Sequence, residues 1–203
     1  MRTMSFNNKD VMSSYRRSRV AGASYFFTVV THQRAPLFLL QQFRKSLRHA
    51  MQQVMLQYPF TIDAMVMLPD HLHCIWTLST GDMSYSRRWS VIKRLVSQEV
   101  SNLEHCSGNM TGIRHCHEHS ASRIQRRESS IWQRRFWEHQ IRDDRDFENH
   151  VNYCYWNHVK HGYVQRVIDW PYSTFHRDVK KGLFPLDWGI SDTELFDEEC
   201  FGE

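Results

Sequence analysis

FTIDAMVMLPDHLHCIWTL, residues 60–78, decides the fold. Two runs of mostly apolar, β-branched and aromatic residues, 60–67 and 71–78, flank a turn marked by Pro69 and Asp70. Strand-like runs joined by so short a link read as a hairpin. Side chains alternate along a strand, so His71, His73, Ile75 and Thr77 share one face of the second run, and Leu72, Cys74 and Trp76 share the other. Two imidazoles therefore stand side by side. Each buried ring needs a partner, and a shared metal ion would serve both. The alternative is a pair of strand histidines that are only hydrogen-bonded or exposed.

The flanking periods extend this hairpin into a fold. YFFTVVT (25–31) follows Gly22 and reads as a strand. From Leu40, the residues Phe43, Leu47, Met51, Val54 and Tyr58 recur every three or four positions, which predicts an amphipathic helix ended by Pro59. A second helix is expected over 86–103, with Trp89, Ile92, Val96, Val100 and Leu103 inward. IWQRRFWEH (131–139) alternates as a fourth strand, and a helix from Asp144 to His161 is ended by Gly162. DWPYSTFHRDVKKGLFPLDWG (169–189) reads as a turn, a short helix and a packed coil. The order β-α-β-β-α-β-α predicts an α+β, ferredoxin-like split βαβ sandwich. Its four-stranded antiparallel sheet has one further helix and leaves one face free for a ligand.

The chain reads as a single domain, 1–203. Residues 104–130 are polar and lack either period, which marks an insertion or mobile loop. SDTELFDEECFGE (191–203) is an acidic tail with six acids and no Lys or Arg, so the other 190 residues hold 26 bases against 16 acids. A basic body suggests a polyanionic partner over which the tail could compete, the plainer alternative being a solvated surface. The bases cluster at Arg16, Arg17 and Arg19, at Arg87, Arg88, Lys93 and Arg94, and at Arg134 and Arg135. Five scattered cysteines suit a reducing compartment. The polar, basic N-terminus and the lack of any apolar run of 18 residues predict a soluble, cytoplasmic protein with no membrane partner.

The last helix supplies companions for the histidines. Phe147, Val151, Cys154 and His158 form its apolar stripe, while Tyr153 and Asn157, about 40° apart around the axis, share an adjacent face with His150 beside them. On spacing alone, Tyr155 or Tyr163 would serve as well as Tyr153.

Together these segments resemble a known family. HLH after MVMLP, the block IWQRRFWEHQIRDDRDFENHVNYCYWNHVKHGYV (131–164), DWPYSTFHRDV with FPLDWG, and the start YRRSRVAGASYFFTVVT are similar to the REP-associated tyrosine transposases. These are domesticated bacterial relatives of the single-tyrosine HUH transposases, named for His, a bulky hydrophobic residue, His; here Leu72 fills the middle. The resemblance implies the same ferredoxin-like fold. It also implies Tyr153 as nucleophile, Asn157 as a third metal ligand with His71 and His73, and Mg²⁺ or Mn²⁺ as the metal, although the donor types alone would favour zinc or another late transition metal. His158 stands where the family has proline.

The implied reaction is cleavage and strand transfer of single-stranded DNA at repetitive extragenic palindrome hairpins, through a 5′-phosphotyrosine, by an enzyme acting as a monomer. Arg16, Arg17, Arg19, Arg87, Arg88, Lys93, Arg94, Arg134, Arg135 and Lys160 are candidate DNA contacts. Two rivals remain at this point: a non-catalytic single-stranded nucleic-acid binder on an RRM-like sheet, and a metal-dependent phosphodiester hydrolase forming no protein adduct. In the insertion, His105, Cys106, His115, Cys116, His117 and His119 could bind zinc, but the gap between the cysteines matches no standard finger.

Overall fold

A computed structural model describes residues 18–107 and 131–189, the side chains of 103–107 apart. Four strands, β1 (Ser24–Val30), β2 (Phe60–Met67), β3 (His71–Leu78) and β4 (Trp137–Gln140), form one antiparallel sheet in the order β2-β3-β1-β4. Helix α1 (Gln41–Gln57) joins β1 to β2, and α2 (Tyr85–Ser107) follows β3. After β4 come α3 (Asp144–Lys160) and the short α4 (Phe175–Lys180). This is the ferredoxin-like connectivity, an α+β fold with added C-terminal helices.

The two central strands, β1 and β3, are buried along almost their whole length. On one face Phe27, Val29, Leu72, Cys74 and Trp76 meet the inner stripes of α1 and α2. Trp76 anchors this layer, stacked on Trp89 with ring centroids 4.2 Å apart and set 4.3 Å from Phe60. On the other face Phe26, Val66 and Ile75 pack under Val151 and Cys154 of α3 and Phe175 of α4. The sheet therefore has no free face, contrary to the sequence expectation. Apolar side chains on both sides of a sheet require a covering layer on each, and the stripe of α3 supplies the second.

Residues 172–174 run along the outer edge of β2. The amide of Met67 donates to the Tyr172 carbonyl (2.9 Å), and that of Thr174 donates to the Met65 carbonyl (2.8 Å). Where the β2–β3 register slips between Ile62 and Ala64, Arg177 donates to the carbonyls of Ile62 (2.8 Å) and Asp63. An edge covered in this way offers no template to another chain.

Two boundaries differ from the sequence expectation. The fourth strand is interrupted: 137–140 pair with β1 as a ladder, while 131–133 reach its end through a bridge between Trp132 and Thr31, the Gln133 amide donating to the Val30 carbonyl (3.0 Å) and the His32 amide to the Ile131 carbonyl (2.8 Å). Trp132 packs against Phe38 and Phe43, and Lys93 Nζ donates to the Gln133 carbonyl (3.0 Å). The strand expected over 131–139 is thus paired at both ends and broken between them. Helix α2 continues to Ser107, past the expected start of the insertion. Residues 108–130, with most of the candidate zinc ligands, lie outside the described residues, as do Arg16, Arg17 and the acidic tail. Among the described residues no helix is long and apolar enough to cross a membrane.

Candidate functional site

His71 and His73 open β3 on the face covered by α3, with ring centroids 4.9 Å apart. Both are buried, at 4% and 0% exposure. Each is held by the same ring nitrogen. His71 Nδ1 donates to Asp70 Oδ1 (2.6 Å), and His73 Nδ1 lies 3.0 Å from the Thr28 hydroxyl on the neighbouring β1. Both rings would therefore meet a ligand through Nε2. His71 Nε2 is buried with no hydrogen-bond partner among the described residues, an expensive state for an imidazole nitrogen unless something coordinates it. Burial tends to raise the Asp70 carboxyl, but hydrogen bonds from His71 and Arg34 outweigh it and hold the group below the usual carboxylate range. The result is a fixed anion behind one imidazole, the arrangement that sets tautomer and basicity in metal-binding histidines.

Helix α3 brings Tyr153 to this spot and carries Asn157 on the same face. The ring of Tyr153 meets His73 edge-on at 5.3 Å and Phe26 at 5.9 Å, and Asn157, one turn further on, is fully buried. Lys160 Nζ lies 5.5 Å from the centroid of the Tyr153 ring. Two imidazoles and an amide oxygen form a neutral donor set, and the orphaned His71 Nε2 fits a divalent cation held there. We expect Asp70→Asn, which keeps the shape and removes the charge, to weaken Mn²⁺ affinity by about 10- to 100-fold; titration calorimetry would show it.

The structure also separates the three tyrosines that spacing left equivalent. Tyr155 points away from the histidines, its hydroxyl donating to Asp178 beside Thr174 Oγ1 at 3.1 Å. Burial and that carboxylate push its phenol pKa well up. Tyr163 lies beyond the end of α3 and is half-exposed. Only Tyr153 of the three is in ring contact with the histidine pair.

A network legible only in three dimensions fixes the start of α3. Asp143 caps the helix, accepting from the Asp146 amide (2.8 Å). The Asp146 carboxylate in turn accepts from the Arg142 amide (2.9 Å) and from His139 Nε2 on β4 (2.8 Å), and lies 3.0 Å from His150 Nδ1. His139 and His150 stack at 4.5 Å, and His150 also touches Phe26, the ring shared by His73 and Tyr153. Asp146 thereby ties the helix to β4, and Tyr153, about two turns later, inherits its position. Sequence spacing shows His150 and Asp146 as an i, i+4 pair but cannot show His139.

At position 158 the helix remains regular where a proline would bend it. His158 is fully buried and its Nε2–H donates to the Val167 carbonyl (3.0 Å). Burial lowers its pKa to about 4, opposed by that hydrogen bond. An unfolded histidine takes up its proton near 6.5, so between the two values the unfolded chain binds the extra proton. Stability is therefore full above pH ~6.5 and falls as pH drops toward ~4, by up to about 3 kcal/mol. Urea midpoints measured between pH 7 and 4 should show this slope, and His158→Phe should flatten it.

The basic candidates divide. Arg88 is not a DNA contact: it is 1% exposed, and donates to the carbonyls of Tyr58 (3.1 Å) and Pro59 (2.9 Å) and to Asp82. A charge so buried is retained for its local hydrogen bonds. Lys93 is largely spent on Gln133. Arg87 and Arg94 are exposed, but α2 covers the sheet face opposite the histidines. Arg19, Arg134, Arg135 and Lys160 are exposed, and Lys160 alone of these contacts a site ring.

No family model matches the chain. It is 44% identical over 184 residues to a REP-associated tyrosine transposase of Escherichia coli strain K12, covering 91% of this chain and 95% of the relative. It is 43% identical over 178 residues to a putative REP-associated tyrosine transposase of Haemophilus influenzae strain Rd, covering 88% and 94%. Among solved structures, a REP-associated tyrosine transposase bound to a REP hairpin matches with a TM-score of 0.67 and 42% identity, over 92% of this chain and 98% of that one. Identity of this degree along nearly the full length of each partner places the chain among the REP-associated tyrosine transposases.

Proposed function

We propose that this protein cleaves and rejoins single-stranded DNA at REP hairpins, with Tyr153 as the nucleophile. The observation that carries the reading is the contact between the Tyr153 ring and His73 of the paired histidines (5.3 Å), which sets a phenol against two buried imidazoles. The solved relative that this chain matches at 42% identity binds such a hairpin.

In the proposed reaction the Tyr153 hydroxyl oxygen attacks the phosphorus. A bond forms between that oxygen and the 5′-phosphate, the bond to the 3′ oxygen breaks, and the 3′ oxygen leaves as a hydroxyl after taking a proton. The phosphodiester energy is kept in the phosphotyrosine, so attack by another 3′-hydroxyl rejoins the strand. Mg²⁺ or Mn²⁺ held by His71, His73 and Asn157 would supply Lewis-acid polarisation of a non-bridging phosphate oxygen. A phenol is a weak nucleophile near neutral pH, so its proton must leave as the oxygen attacks. Asp70 holds the His71 imidazole in one tautomer, Thr28 orients the His73 ring, and the Asp146 network holds the helix that carries the phenol.

The test is incubation with labelled hairpin DNA and Mn²⁺, followed by a denaturing gel and peptide mass mapping. A DNA adduct on Tyr153 is expected. Cleavage without an adduct would replace this reading with the hydrolase, and binding without cleavage would replace it with the binding module.

A further inference from the structure

The end of α3 builds a column of rings that catalysis by Tyr153 does not require. Gly162 adopts a left-handed conformation (φ 71°), which allows the chain to reverse. The Gly162 amide donates to the Val159 carbonyl (2.8 Å) and the Tyr163 amide to the His158 carbonyl (3.0 Å), the paired bonds of a Schellman motif. Tyr163 is thereby folded back over the helix end. There its ring stacks on Trp170 at 5.5 Å and 29°, and Trp170 stacks on His158 at 5.7 Å and 17°.

The two inner rings are fixed. His158 is tied to the Val167 carbonyl, and Trp170 Nε1 donates to the Met67 carbonyl (3.0 Å). The outermost is not covered: Tyr163 is 45% exposed, against 8% for Trp170 and 0% for His158. A stack that is rigid below and open above presents a flat aromatic surface with little ordering left to do. Its position is specific as well. His161 lies 6.0 Å from Tyr163 and 5.9 Å from His71, so two ring contacts link the platform to the histidine pair.

We propose that Tyr163 is a stacking platform for one unpaired nucleobase of the DNA strand, next to the phosphate that is cut. This deepens the hairpin-cleavage reading and rests on it. Charge favours a nucleic acid as occupant over an apolar peptide. Arg34, 56% exposed at its side chain, sits at the same rim on Asp70, and exposed Lys160 lies over the Tyr153 ring, so phosphates between the stacked base and the phenol meet cations. Burial and the Asp70 carboxylate raise the Tyr163 phenol, with Arg34 opposing, so the ring stays neutral at physiological pH beside those phosphates. Every base has a π-face, so such a platform adds affinity and register without selecting sequence.

The experiment uses the full chain carrying Tyr153→Phe, which prevents turnover. Two probes are compared: a REP hairpin with a single-stranded extension carrying 2-aminopurine at successive positions, and the same hairpin cut blunt. Adding Tyr163→Ala should weaken binding of the extended hairpin by about 5- to 100-fold, the effect of losing one base–aromatic stack. Affinity for the blunt hairpin should not change. One 2-aminopurine position should lose its quenching with Tyr163→Ala and recover it with Tyr163→Trp. Equal losses on both probes, or no loss on the extended one, would overturn the platform while leaving the hairpin reading intact. Failure of the parent protein to bind either probe would overturn both.

Discussion

Tyr153→Phe is expected to abolish hairpin cleavage and adduct formation, a loss of at least about 10⁴-fold, with folding and hairpin affinity little changed. The substitution removes one oxygen and keeps the ring. The packing that seats the ring, edge-on to His73 and Phe26, is therefore retained. Tyr155→Phe provides the contrast, since its hydroxyl is committed to Asp178 and Thr174 on the far side of the helix. That variant should lose about 1–3 kcal/mol of stability, because the buried Asp178 loses a donor, yet still form the adduct. Gel assays and urea melts on the two variants read opposite outcomes from neighbouring tyrosines. If Tyr153→Phe still formed an adduct, the nucleophile would be another residue.

His73→Ala should lower metal-dependent cleavage by roughly 10²- to 10⁴-fold, in proportion to the several kcal/mol that a cation contributes to charge stabilisation at phosphorus. Mn²⁺ binding should fall with it. Because His73 is fully buried between Phe26 and Tyr153, its truncation also opens a cavity. His73→Gln, which fills most of that space, separates the two effects: a structural role predicts recovery of stability and cleavage together, whereas a ligand role predicts recovery of stability alone.

Much of this fold was legible because its elements bury one clean stripe each. The inward residues of α1 and α2 recur at the helical period, and the alternation in β3 placed His71 and His73 on one face before any coordinates. The misread features share a cause, which is that their periodicity comes from tertiary partners. Ile131 and Trp132 plug a gap beside α1 and α2, and although Trp132 bridges to Thr31 the ladder with β1 forms only from Trp137 onward. The HxH face reads as open only until α3 is laid across it. Arg88 is indistinguishable in sequence from Arg87 beside it, since the Tyr58, Pro59 and Asp82 groups that hold it lie at a helix end and in a turn. The pairing of Tyr153 with His73 spans 80 residues, and what singled out Tyr153 in advance was family likeness rather than spacing.

The strand order carries a consequence for synthesis on the ribosome. The histidine strand β3 lies between β2 and β1, and all three strands precede residue 79, so most of the sheet is available early. Among the described residues the tyrosine helix is the last long element, and it is anchored through β4. Domains fold as their residues emerge, and contacts distant in sequence form last. A truncated or stalled product ending before residue 144 would thus carry His71 and His73 and lack Tyr153. On the reaction proposed above, cutting power arrives only with the helix that closes the molecule, so a nascent chain gains it late in its synthesis.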